Sequence, residues 1–123
     1  MILADSSVWI GHLRARNAIL VDLLEKQRLL THPVVIGELA LGSIRNRSLM
    51  LAMLSRLDRV RPASDAEMLV LVDRHRLWAR GIGYADAMLL TSVRITPGAS
   101  LWTHDKRLAQ AADELNLSAR LDS

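Results

Sequence analysis

Four carboxylates in this chain stand where carboxylates are costly. Asp5 closes the apolar run of MILADSSVWI, and Glu38 is the single charged residue of PVVIGELALG. Asp86 lies in GIGYADAMLLTSV, and Asp105 follows ASLWTH. On a helix, Glu38 would have Val34, Val35, Leu41 and Gly42 as neighbours, and Asp86 would have Ile82, Gly83, Leu89 and Leu90. An ionised carboxylate on an apolar stripe must be capped, paired or bound to a cation. The other acids have plainer explanations. Asp65 and Glu67 belong to a helix cap; Asp22, Glu25, Asp58, Asp73, Asp113 and Glu114 lie among polar or basic residues; Asp122 belongs to the tail.

Each of the four has a structural explanation when taken alone. Asp5 and Asp105 suit helix N-caps, Glu38 could pair with an Arg, and Asp86 complements its helix dipole. Taken together at one end of one sheet, they would repel one another unless a hard divalent cation sat among them. Oxygen donors without Cys point to Mg²⁺ or Mn²⁺ rather than Zn²⁺. His12, His32, His75 and His104 show no ligand spacing and receive no catalytic role.

Such a site needs strands that end near one another. Met1–Ala4 reads as a short buried strand, followed by a helix from Ser6 to Arg14. Ala18–Gln27 is amphipathic, Leu29–Thr31 reads as a second strand, and Pro33 and Gly42 bracket a helix. Arg47–Leu57 has helical spacing, so SRLDRV reads as helical, and Arg59–Arg61 reads as a short strand. Ser64-Asp65-Ala66-Glu67 matches a capping box opening a helix through about Trp78. After Gly81 and Gly83, Tyr84–Val93 is helical; Pro97-Gly98 turns, Ala99–Thr103 is a strand and Asp105–Leu115 a last helix. Strands alternating with helices predict an α/β fold with a mainly parallel sheet. Ligands of such sheets bind at the carboxyl ends of the strands, where Asp5 and Asp105 fall.

Composition sets the outer bounds. The 123 residues are most economically one domain, residues 1–123, and half are apolar, as expected of a globular chain. No Cys is present, which excludes disulfides and thiolate metal sites and fits a cytoplasmic setting. No signal peptide or membrane-length apolar run is read. Sixteen basic residues against 13 acids give a net charge of +3, and all the basic residues but Lys26 and Lys106 are Arg. Guanidinium forks suit phosphate or carboxylate partners, although a high-GC genome would write the same bias.

With these motifs in view, the chain resembles a PIN domain, specifically a VapC-type toxin ribonuclease of a toxin–antitoxin pair. Asp5-Ser6-Ser7 resembles the family's opening Asp and two small polar residues. Glu38 in VVIGELALG resembles its helical Glu, Asp86 in GYADAMLLTS its third acid, and Thr103-His104-Asp105 its late Thr-x-Asp. Two departures stand out. Lys106 and Arg107 occupy positions where many members have a further acid, and Thr91 and Ser92 stand where small residues are usual.

The resemblance implies a three-layer α/β/α PIN-like fold and Mg²⁺- or Mn²⁺-dependent cleavage of single-stranded RNA. It makes Asp5, Asp86 and Asp105 metal ligands, with Glu38 acting through water or positioning the nucleophile. Ser7 and Thr103 would orient carboxylates or phosphate. Candidate RNA contacts are Arg14, Arg45, Arg80, Lys106 and Arg107, together with Arg16, Arg47 and Arg76. Trp78 is a candidate for base stacking, whereas Trp9 and Trp102, beside strands, read as core. The resemblance also implies a VapB-type antitoxin partner and a homodimer, with Val34–Leu41 and Leu49–Leu57 as candidate groove walls. Two other readings remain open here: a PIN-like RNA-binding scaffold that does not cut, and a receiver-type phosphoacceptor domain.

Overall fold

Short apolar strands and capped helices of about ten residues account for most of the chain. The computed structural model describes residues 1–121; Asp122, read as part of the tail, lies outside the described residues. Four parallel strands, β1 (Ile2–Ala4), β2 (Leu29–Thr31), β3 (Asp58–Arg59) and β4 (Ser100–Trp102), form one sheet in the order β3-β2-β1-β4. Seven helices complete a three-layer α/β/α arrangement: α1 (Ser6–Arg14), α2 (Ala18–Glu25), α3 (Pro33–Leu41), α4 (Arg47–Ser55), α5 (Asp65–His75), α6 (Tyr84–Ile95) and α7 (Lys106–Glu114).

Burial on both faces explains why the strands read as continuous apolar runs. Ile2, Leu3, Ala4, Leu29, Leu30, Leu101 and Trp102 are all buried. Ile2 pairs in register with both Leu29 and Ser100, and Ala4 lies opposite Trp102. Trp9 and Trp102 are core residues, as expected, while Trp78 is exposed. The chain order places β2 and β3 on one side of β1 and β4 on the other. The crevice where the winding direction reverses therefore lies between the carboxyl ends of β1 and β4. The Asp5 N–H donates to the Trp102 carbonyl at 3.0 Å, tying those two ends together.

The differences from expectation lie at element ends. α2 stops at Glu25 and α5 at His75, before the expected Gln27 and Trp78, because Gln27 and Arg76 adopt left-handed backbone with φ of 55° and 53°. The two residues of β3 begin at Asp58, so this acid belongs to an edge strand rather than to a helix. Beyond α7 the chain returns to β4, with the Leu101 N–H donating to the Leu117 carbonyl at 2.7 Å. That pairing had no counterpart among the expected strands.

Candidate active site

Asp5 opens the site and is buried, with 4% of its surface exposed. It caps α1: its Oδ1 accepts the Val8 N–H at 3.2 Å. The same oxygen accepts the Ser7 hydroxyl at 2.5 Å, and Oδ2 accepts the Thr103 hydroxyl. Ser7 Oγ in turn accepts the His104 N–H, and Thr103 Oγ1 accepts the Asp105 N–H, each at 3.0 Å. Two hydroxyls thus lash the Asp5 carboxylate to the end of β4. Three accepted hydrogen bonds still leave lone-pair capacity on a carboxylate with about four acceptor sites.

Asp105 stands at the N-cap of α7, where its Oδ1 accepts the N–H groups of Arg107 and Leu108 at 2.9 and 3.0 Å. Its Oδ2 takes no part in the cap. Glu38 projects from α3 and accepts the Ser6 hydroxyl at 3.1 Å. Ser6, at the start of α1 and opposite α3, carries no chemical signal in the motif and takes its role from this contact. The burial expected of Glu38 is absent, because this side of α3 faces solvent: Glu38 is exposed and Leu41 is 92% exposed.

Asp86 occupies the first turn of α6, half-buried behind Gly83, which caps the helix without a side chain. Burial pushes its carboxyl up to about 6. The negative charges of Asp105, Asp5 and Glu38 act in the same direction, while the Gly83 N–H opposes them. The other three acids therefore lie within electrostatic reach of Asp86. Among the described residues the ion pairs are Lys26–Asp22 and Arg80–Glu114, so no basic side chain pairs with any of the four. Nor do any three His, Asp or Glu side chains stand in a closed ligand cluster among the described residues. The carboxylates gather around Asp86 at Coulombic range rather than in coordinating contact, with Glu38 and Asp105 at the exposed edge. A buried Asp with no guanidinium, facing three further acids, is a donor set suited to a hard cation.

His32 joins two of the helices that carry these acids. Its Nδ1 accepts the Val34 N–H at 2.9 Å and starts α3; its Nε2 lies 3.0 Å from Ser92 Oγ on α6. Because Nδ1 accepts, the ring proton is on Nε2 and is donated to Ser92. The Ser92 hydroxyl donates to the Met88 carbonyl at 2.7 Å and accepts the Ala63 N–H at 2.9 Å. Burial, then the Arg59 charge, holds the imidazole below the ordinary histidine value. No metal-ligand spacing singles out this residue; its signal is the X-Pro step that starts α3.

The basic candidates are dispersed. Arg14 and Arg45 line one cleft beside Ile10, Leu13 and Ile44. Lys106 and Arg107 are exposed just after Asp105, and the Arg107 side chain lies across Gly81. Arg80 directs both Nη groups at Glu114, at 3.0 and 2.5 Å.

Comparison with known proteins fits this arrangement. The sequence profile described as the PIN domain matches residues 2–114, a span that includes all four acids. The chain belongs to the PIN-domain family. Two curated relatives named "Ribonuclease VapC32", from Mycobacterium tuberculosis strains CDC 1551 / Oshkosh and ATCC 25618 / H37Rv, are each 53% identical over 114 residues. The alignment covers 93% of this chain and 92% of each relative. The resemblance to VapC-type PIN domains is thus borne out, and PIN-domain ribonucleases in general depend on divalent metal. The receiver reading fails on topology. Receiver sheets run 2-1-3-4-5, with β3 beside β1. Here β2 separates them, which keeps Asp58 away from Asp5. No helix among the described residues is long and apolar enough to cross a membrane.

Proposed function

We propose that this PIN-domain protein is a metal-dependent endoribonuclease, the toxin of a toxin–antitoxin pair, and that it hydrolyses RNA phosphodiesters at its four-carboxylate site. The observation that carries the reading is that the charges of Asp5, Glu38 and Asp105 all bear on Asp86, while none of the four forms an ion pair among the described residues. The relatives' name, ribonuclease, agrees with it.

Asp5, Asp86 and Asp105 would hold Mg²⁺ or Mn²⁺. When bound there, such an ion lowers the pKa of water and neutralises charge on phosphate oxygens. The chain's own groups do the positioning. Ser7 and Thr103 fix both oxygens of Asp5, so one ligand direction is set before substrate arrives. Asp105 is held by the α7 cap, and Glu38, exposed and steered by Ser6, orients the attacking water. Lys106 and Arg107 flank the crevice and steer the RNA backbone, with Arg14 and Arg45 extending the basic surface toward α1. Arg80, tied to Glu114, reaches RNA only by giving up that pair.

The working unit in this reading is residues 1–123 acting as one domain, in the cytoplasm, as a homodimer. A VapB-type antitoxin segment would lie between α1 and α4, where Leu13, Leu49, Met50 and Met53 line an apolar cleft. The decisive experiment is Asp5→Asn assayed on a generic single-stranded RNA with Mg²⁺ or Mn²⁺, with EDTA as control. The expected result is loss of metal-dependent cleavage with unchanged circular dichroism. Undiminished cleavage by the folded variant would end the reading, and cleavage by neither protein would favour the scaffold alternative.

A further inference from the structure

The chain has four aromatic side chains, three Trp and one Tyr, and no Phe. Trp9 and Trp102 are in the core, whereas Trp78 and Tyr84 are 57% and 61% exposed. Both exposed aromatics belong to one place, the loop 76–83 between α5 and α6 and the residue that follows it. The loop is anchored along its length. Leu77 is buried and its N–H donates to the Val72 carbonyl at 3.0 Å, which leaves Trp78 on the outside. Arg80 grips Glu114 of α7 through both Nη groups, and the Arg107 side chain fills the space a Cβ at Gly81 would need. The Tyr84 hydroxyl donates to Asp65. Arg76, Ala79 and Gly81 all have left-handed backbone, with φ of 53°, 59° and 76°. Ala79 has no polar side chain to favour that conformation locally, so the anchors around it impose it.

The loop also adjoins the acids. Tyr84 precedes Asp86 by two residues in α6, and Arg107, lying across the loop, follows Asp105 by two residues in α7. From 74 to 85 the sequence RHRLWARGIGYA has three guanidinium groups and no carboxylate. Arg76 and Arg107 form no ion pair among the described residues. We infer that Trp78 seats an unpaired base of the RNA substrate, stacked on its exposed indole beside Tyr84, while Arg107 meets an adjoining phosphate. Single-stranded RNA alternates flat bases with anionic phosphates, and this surface alternates flat aromatics with cations. A protein partner would need an apolar surround, but Trp78 has guanidinium groups two residues away on either side. A platform already held in place loses little freedom when a base settles on it. Stacking strength then sets the preference, and a purine, with its larger face, binds better than a pyrimidine. Trp78 is in this view a specificity-determining residue.

The inference deepens the proposed function and takes its substrate class from it. The test uses the full-length protein in EDTA with short single-stranded RNA oligomers, intact or with each base in turn replaced by an abasic site. Because Trp9 and Trp102 are in the core, quenching of tryptophan emission by RNA reports on Trp78. Intact RNA should quench, and one abasic position should abolish the quenching. Trp78→Ala should weaken binding of intact RNA about tenfold in fluorescence anisotropy, and Trp78→Phe should recover most of the loss. With the oligomer abasic at the critical position, Trp78→Ala should cost nothing, whereas a merely structural role would cost the same on every oligomer. An equal penalty on every oligomer would overturn the inference. So would RNA that fails to bind or binds without quenching wild type, which would make the loop a protein-docking surface; this arm decides even if Trp78→Ala does not fold. Cleavage by a protein whose Trp78 stays silent would sink this inference alone, and a quenched Trp78 in a protein that never cleaves would sink the nuclease reading alone.

Discussion

Asp86→Asn should abolish activity and yet stabilise the metal-free protein at pH 7. The Asp86 carboxyl lies at about 6 in the folded chain, against an ordinary value of 3.8. The folded state therefore binds this proton more tightly than the unfolded state does. The corresponding stability is fully present below the unfolded value and is lost as pH rises through about 6. Converted directly, the displacement corresponds to about 3 kcal/mol. Half the group faces water, and screening reduces this to about 1–1.5 kcal/mol of strain carried by the ionised form at pH 7. Asn keeps the shape and carries no charge, so it removes that strain, worth about 3–7 °C in melting temperature for a chain of this size.

The assay is thermal or urea unfolding of both proteins in EDTA across pH 4–8. The quantity to follow is the difference between them, because the depressed imidazole of His32 is common to both and cancels. The gap should be largest near pH 7–8 and close as pH falls toward 4. Mn²⁺ should raise the melting temperature of wild type at pH 7 and leave the variant nearly unmoved. A gap of zero or of opposite sign at pH 7, or one that does not change with pH, would refute the claim that crowded negative charge and burial raise this carboxyl.

Two further predictions concern the scaffold. His32→Ala removes the Val34 cap and the contact to Ser92, and should cost about 2–3 kcal/mol in urea unfolding. The depressed imidazole stabilises the fold above the ordinary histidine value of 6.5 and loses that contribution as pH falls below it, so the variant's acid limb should be flatter. Gly81→Ala should cost about 1–2 kcal/mol, because φ is +76° and the new Cβ would collide with the Arg107 guanidinium. Adding Arg107→Ala should recover the share due to collision and leave the share due to backbone strain.

Much of this architecture was legible because individual residues announce it. Pro33 and Gly42 bracket α3 as written, and Ser64 with Glu67 forms the capping box that starts α5. Helix ends were legible only where a Gly or a polar cap marks them. Gln27 and Arg76 terminate helices in left-handed backbone that their side chains do not advertise, so the ends of α2 and α5 were misplaced. The short β3, two residues at a sheet edge, carries too little pattern to fix its register. The pairing of Leu117–Ala119 with Leu101 depends on where α7 delivers the chain, a tertiary fact with no local signal.

At the site, Asp5 and Asp105 do cap helices, and the charges of both bear on Asp86, with no ion pair to any of the three among the described residues. Capping and ligation are not alternatives here. A cap fixes one oxygen of the carboxylate with backbone N–H groups, and in Asp105 it leaves the other oxygen free at the sheet edge. The cap therefore stabilises the helix and aims the acid in one act, which is why two of the four acids coincide with helix starts. Glu38 follows a different logic, since it is exposed and held by a single hydroxyl. Glu38 lacks the burial that its apolar neighbours predict, and its membership of the group rests on its charge bearing on Asp86 instead. The site thus combines two acids fixed by caps, one strained by burial and one exposed and held by a single hydroxyl. Under the proposed function, that division would set ligand directions in advance and leave the exposed carboxylate facing water.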